Sequence, residues 1–222
     1  MCGRFALTLP KKAMANLFDA EILTDFGGPK YNVTPTSQIP VCVMFEGKRV
    51  ITSMRWGFIP HWYASPSDGP LLINARSETV TQKPAFGTAF RRRRCLIPAS
   101  GFFEWHREKD RPKEPYYITR TDGAEMVFAG IWQAWTGKDG ERRITCAILT
   151  KPASVPIEAI HHREPVTVAT TEFKNWLSLS PDTTEVFSPS APGSFKMHRV
   201  DPKVNSARVD TPDLIEEVQT NT

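Results

Sequence analysis

Cys2 holds the most chemical potential in this chain, through its position as much as its type. A small second residue allows the initiator Met1 to be removed, leaving an α-amine and a thiol on adjacent carbons. Reference pKa values are about 7.7–8.0 for the amine and about 8.5 for the thiol, so a useful fraction of each is nucleophilic near neutral pH. A 1,2-aminothiol does what neither group does alone. The amine condenses with an aldehyde to an imine, and the thiol then closes onto the imine carbon to give a five-membered thiazolidine. Gly3 and Arg4 follow, one allowing close approach to the backbone and the other offering a bidentate grip on phosphate. A reactive amine beside a phosphate ligand suits a sugar-phosphate aldehyde.

The rest of the composition narrows the setting. The chain has 222 residues, 40% hydrophobic and 23% charged, which is ordinary for a globular protein and excludes disorder. No apolar run approaches the roughly 18 residues of a membrane span, and the N-terminus lacks a signal peptide's apolar stretch, so the expected location is cytoplasmic. The cysteines Cys2, Cys42, Cys95 and Cys146 form no CxxC pair. Neither a zinc knuckle nor a disulfide framework is expected, and Cys42, Cys95 and Cys146 read as small buried hydrophobes. His61 and His106 have no metal-ligand spacing with any other His or Cys, so no metal and no cofactor are expected. Charge is uneven: residues 1–120 carry 18 Lys/Arg and 10 Asp/Glu, whereas residues 121–222 carry 10 and 14. Any polyanion site belongs in the first half. The run Arg91 to Arg94 reads as a solvated strand edge in preference to a nucleic-acid reader.

These groups must be positioned by short elements. CGRFALTL reads as a strand, and Pro10 opens a helix through about Asp19. IPVCVMF and RVITSMRW flank Glu46-Gly47-Lys48 as a hairpin, and GFIPHWYASPSDGP is an ordered loop with exposed aromatics. ARSETV and PAFGTAF read as short helical pieces. RRCLIPA, GFFEW, PYYITR, EMVFAGIW and RRITCAIL are then five strands in succession, with tight turns at Asp122-Gly123 and Asp139-Gly140. SVPIEAIH and TTEFKNWL are short helices around a strand, PVTVA. Together these predict an α+β fold: a single domain on a strongly curved, mostly antiparallel, barrel-like β-sheet with a few peripheral short helices. The domain is expected over residues 1–210, with 211–222 a flexible tail. Trp56 and Trp105, at the ends of apolar strands, read as core.

Seven blocks in order, MCGRF, YNVTP, RWGFIPHW, INARSET, CLIPASGFFEW, IHHREPV and HRVDPKVN, resemble the SRAP family, the SOS-response-associated peptidase or abasic-site processing proteins. The resemblance runs from residue 2 to about 205. It implies a single curved-sheet domain that binds single-stranded DNA and captures abasic sites covalently through the N-terminal Cys2, shielding the lesion, with AP-lyase activity as a side reaction. Position by position it implies Cys2, Asn74, Glu104 and His161 as catalytic residues. It also implies DNA contacts from Arg4, Arg76 and Arg163, with Asn32, Pro35 and Trp62 bordering the cleft. The residue types fit. An abasic deoxyribose is mostly a closed hemiacetal, so ring opening and expulsion of water from the carbinolamine need acid-base groups such as Glu104 and His161. Asn74 offers both a donor and an acceptor, and Trp62 a stacking face. His162, Glu164, Ser100 and Phe103 depart from the family pattern and flank the active positions. Two other readings remain open: an N-terminal-nucleophile cysteine peptidase or amidohydrolase, which could remove Met1 from itself, and a non-covalent single-stranded DNA-binding module. The expected partner is single-stranded DNA with abasic sites, not a membrane, and the expected state is a monomer.

Overall fold

The computed structural model describes residues 2–179, 184–187, 190–191 and 193–218. Thirteen strands are described: β1 (Phe5–Leu7), β2 (Glu21–Ile22), β3 (Lys30–Val33), β4 (Gln38–Phe45), β5 (Lys48–Trp56), β6 (Asn74–Arg76), β7 (Arg94–Ala99), β8 (Gly101–His106), β9 (Glu114–Arg120), β10 (Met126–Thr136), β11 (Arg142–Pro152), β12 (Arg163–Pro165) and β13 (Phe195–Arg199). Short helices are peripheral: α1 (Lys11–Phe18), α2 (Gly87–Arg92), α3 (Phe173–Leu177) and α4 (Thr184–Phe187). The fold is the expected single α+β domain on a curved, mostly antiparallel sheet.

The strands β5, β4, β7, β10 and β11 pair in that order as antiparallel neighbours, and β11 then pairs β5 in parallel through Thr145↔Arg55 and Cys146↔Trp56. That contact closes a five-strand barrel. In a ring with an odd number of strands, direction cannot alternate everywhere, so one parallel seam is required. The interior is filled by side chains, among them the fully buried Trp56, Cys95 and Cys146. A Cβ on Gly130 would lie 2.7 Å from the Cys95 sulfur, so the wall there tolerates only glycine. The β4–β5 hairpin turns through Glu46 and Gly47, both at positive φ, as a two-residue turn with right-handed twist requires.

A second antiparallel sheet, in the order β13-β9-β8-β1-β3, leans on the barrel. The Phe5 ring meets Trp56 at 5.2 Å and Phe128 at 5.9 Å, which anchors β1 in the main core and fixes the chain's first residues beside it. On the far side of this sheet, Ala6, Phe103, Tyr117, Val200, Val204 and Leu214 form a smaller core. Strand alternation divides β8 between the two: Phe103 faces the small core, while Phe102 belongs to the main one and Glu104, two residues on, shares its side.

Several elements differ from the sequence expectation. ARSETV and its lead-in form β6 and then turns in place of a helix, because β11 overhangs the barrel seam and its free edge pairs with Asn74–Arg76. PAFGTAF becomes helical only from Gly87. SVPIEAIH holds one 3-10 turn at Ile157–Ala159, and TTEFKNWL begins as a 3-10 turn before α3. The strand expected at PVTVA is displaced to Arg163–Pro165; beyond it the chain still runs along β10, through Ala129 N–H to Val166 O (2.8 Å) and Val168 N–H to Val127 O (2.8 Å). The expected tail is packed as far as Val218, whose N–H donates to Arg199 O at 3.0 Å, with Leu214 fully buried. Residues 219–222 lie outside the described residues. No described helix is long and apolar enough to cross a membrane.

Candidate active site

Cys2 has no exposed surface and packs at the margin of the main core. Three elements bring polar groups to it. β6 runs parallel to β11 with Ala75 buried against the barrel, so by alternation Asn74 and Arg76 point the other way, toward the cleft. Asn74 Nδ2 donates to the Cys2 carbonyl at 2.9 Å, and Asn74 Oδ1 is buried with no partner among the described residues. β8 supplies Glu104, which is 3% exposed. The loop between β11 and β12 supplies His161, whose Nδ1 lies 3.7 Å from Glu104 Oε1. The four expected catalytic residues thus gather around the N-terminal segment.

Burial sets their acid-base character. It raises the Glu104 carboxyl above its usual range and lowers the His161 imidazole below 6.5. It also pushes the Cys2 thiol far up, and the nearby Glu104 charge adds to that shift. Both the N–H and the carbonyl of Arg163 lie 3.0 Å from His161 Nδ1, so either neutral tautomer finds a backbone partner. An imidazole supported in both tautomers is suited to passing a proton on.

Two hollows meet at Arg76, which is exposed and lines both. One, of about 580 Å³, is bordered by Trp62, Asn74, Arg76, Lys83, Phe86 and Thr150. The other, of about 750 Å³, is bordered by Arg76, Trp105, Arg107, His161 and His162. Trp62 is 51% exposed, which leaves its ring open to solvent beside the first hollow. Trp56 is core, as expected. Trp105 is core only in part: it is half-buried, packs against the smaller core and lines the second hollow, with Nε1 donating to Asn205 Oδ1 at 2.7 Å.

Other expected DNA contacts are engaged within the protein. Arg4 Nη1 donates to Asn32 Oδ1 and to Val204 O, both at 2.7 Å. Asn32 is 6% exposed, and its Nδ2 donates to Val209 O (2.6 Å) and Ser206 O (3.0 Å). This pair ties β1 and β3 to the C-terminal segment. Arg163 is buried and forms a two-toothed ion pair with Glu78, with a further bond to Thr150 O. The pairing holds the Glu78 carboxyl down to about 2. Pro35 is half-buried in the turn after β3. Arg94, from the basic run, is buried against the rings of Phe90 and Trp176, and Arg93 donates to Gln133 Oε1 at 2.6 Å.

Thr150, Lys83, Glu78 and Arg107 were not singled out in the sequence. Glu78 stood within the INARSET block, and its partner Arg163 within IHHREPV, but only the fold brings the two together. All four cysteines are free and buried. Among the described residues, no three His, Cys, Asp or Glu side chains gather where they could hold a metal ion.

The likeness to known proteins extends over the whole chain. It is 33% identical over 222 residues to "Abasic site processing protein YoaM" of Bacillus subtilis, covering 97% of this chain and 98% of that one. It is 28% identical to "Abasic site processing protein HMCES" of Xenopus tropicalis, covering 97% of this chain and 78% of that one. A crystal structure from Bacteroides thetaiotaomicron superposes with a TM-score of 0.87 at 23% identity, over 98% of this chain and all of the other, and one from Bordetella bronchiseptica with 0.78. The family model described as SOS response associated peptidase (SRAP) matches residues 1–207, which takes in β1 with Cys2 at one end and the Val204 anchor of Arg4 at the other. With the family model spanning nearly the whole chain and a third of its residues shared with YoaM, the chain belongs to the SRAP family.

Proposed function

We propose that this protein captures the aldehyde of abasic sites in single-stranded DNA as a covalent thiazolidine on Cys2, after removal of Met1. The observation that carries the reading is the gathering of Asn74, Glu104 and His161 around a buried N-terminal Cys2. The names of its relatives, abasic site processing proteins, support the same substrate.

The chemistry runs amine first. Glu104, whose raised pKa makes it a stronger base than an ordinary carboxylate, takes a proton from the α-ammonium. His161 gives and takes protons at the sugar oxygens as the ring opens to the C1′ aldehyde. The amine attacks C1′, and the carbinolamine loses one water to become an imine. The Cys2 sulfur then adds to the imine carbon while its proton passes to the nitrogen, so the whole capture releases one water. The raised thiol pKa fits a sulfur that attacks second, on an activated carbon. Arg76 and Lys83 would hold phosphates, and Trp62 a neighbouring base.

The experiment is intact-mass measurement of the purified protein with an abasic single-stranded oligonucleotide. The expected product weighs the sum of protein without Met1 and oligonucleotide, less one water. No adduct, together with turnover of added peptides, would transfer the function to the peptidase reading. Equal affinity for intact and abasic strands without an adduct would make it a binding module.

A further inference from the structure

We propose that Glu164, a fully buried carboxylate on β12, is a positioning residue that fixes the His161 loop for the proposed capture reaction. The inference rests on the functional reading above.

β11 and β12 pair with Lys151 opposite Glu164. Between them the chain makes an excursion from Ser154 to His162, whose one fully buried side chain is Ile157. Such a loop has little apolar anchorage, so its neck must hold it. There Ala153 N–H donates to His162 O at 3.1 Å. Glu164 Oε2 accepts from Ser154 N–H at 2.9 Å and from Ser154 Oγ at 2.7 Å. Glu164 Oε1 accepts from Ser190 Oγ at 3.0 Å and faces Lys151 Nζ at 3.6 Å. The carboxylate has no exposed surface, and the lysine side chain is 5% exposed. A buried carboxylate holding three donors and a cation is expensive to desolvate, and a pair of apolar residues of similar volume would serve stability as well. What the apolar pair would not provide is an acceptor for Ser154, at the point where the loop leaves the strand. Downstream, His161 N–H donates to Ile157 O at 2.9 Å and the ring meets Glu104. Misplacing a catalytic group by about 1 Å can slow a reaction about 10²-fold.

The test uses two double variants of the full chain. K151M/E164M removes the ion pair and the acceptor; K151M/E164Q removes the charges but keeps an amide oxygen for Ser154. The measurements are single-turnover crosslinking to an abasic single-stranded oligonucleotide, affinity for the intact strand, thermal midpoint, and hydrogen exchange at the His161 amide. K151M/E164M should crosslink about 10-fold to 10²-fold more slowly and exchange the His161 amide faster, with affinity unchanged. K151M/E164Q should recover both readouts to near wild type. Equal behaviour of the two variants, or a wild-type rate in K151M/E164M, would overturn the proposal. Should either double variant fail to fold, Ser154→Ala, which deletes only one of the neck bonds, must slow crosslinking and speed exchange for the proposal to survive. A wild-type protein that forms no adduct would defeat the functional reading instead, and the exchange data would still decide whether Glu164 fixes the loop.

Discussion

Replacing Asn74 with alanine should separate chemistry from stability, because two polar effects of opposite sign meet in that side chain. The amide donates to the Cys2 carbonyl at 2.9 Å, a bond worth about 1 kcal/mol to folding. Its oxygen is buried without a partner among the described residues, at a cost of about 1–3 kcal/mol, which the substitution relieves. Asn74 borders the cleft, so shortening it widens an open space and leaves no sealed void. The net change in stability should therefore stay within about 1 kcal/mol, a shift of about 2–4 °C in thermal midpoint for a chain of this size. The rate should behave differently. The unpartnered oxygen is available to the α-amine or a sugar hydroxyl during capture, and losing a contact of about 1.5–3 kcal/mol to a charged group slows the step about 10-fold to 10²-fold. The assay is a single-turnover time course with abasic oligonucleotide, resolved on a denaturing gel, beside a melting curve of the same sample. A wild-type rate, or a loss of more than about 10 °C in parallel with the rate, would show that Asn74 serves the fold and refute the reasoning.

Asn32→Ala removes three short hydrogen bonds, one of them from the Arg4 guanidinium, and should destabilise the protein by about 3–4 kcal/mol while leaving affinity for intact DNA unchanged; calorimetry and a binding titration check both. Arg76→Ala should flatten the plot of log affinity against log salt by about 0.7, whereas Arg163→Gln should leave the slope alone and lower the thermal midpoint, since its charge is already paired with Glu78. Burial holds His161 below 6.5, so the acid limb of the crosslinking rate should lie below that pH, and His161→Gln should remove it. The same shift has a stability sign. Below pH 6.5 the unfolded chain takes up a proton that the folded imidazole refuses, so wild type should lose stability relative to His161→Gln as pH falls, until the folded ring also titrates.

The strand-rich class, the β4–β5 hairpin turn and the five strands from β7 to β11 were legible in the sequence, because each depends on local signals: short apolar runs bounded by turn residues, and Gly at positive φ. The order of the blocks also nominated Cys2, Asn74, Glu104 and His161, and the fold sets Asn74 on the Cys2 carbonyl and His161 beside Glu104. Other features are non-local. β6 is a strand only because β11 overhangs the seam of a five-strand ring, and nothing within ARSETV encodes that free edge. Arg4 and Arg163 look like phosphate ligands by type, yet a guanidinium is free for a ligand only where the fold leaves it without an internal partner, and here Val204, Asn32 and Glu78 occupy them. The same logic turns Glu164, an anomaly in the sequence, into the neck of a loop: its partners Lys151 and Ser154 become neighbours only when β11 and β12 pair. Residue type and spacing set which chemistry was available, and the closing of the barrel decided which of those groups face the cleft and which are consumed in holding it.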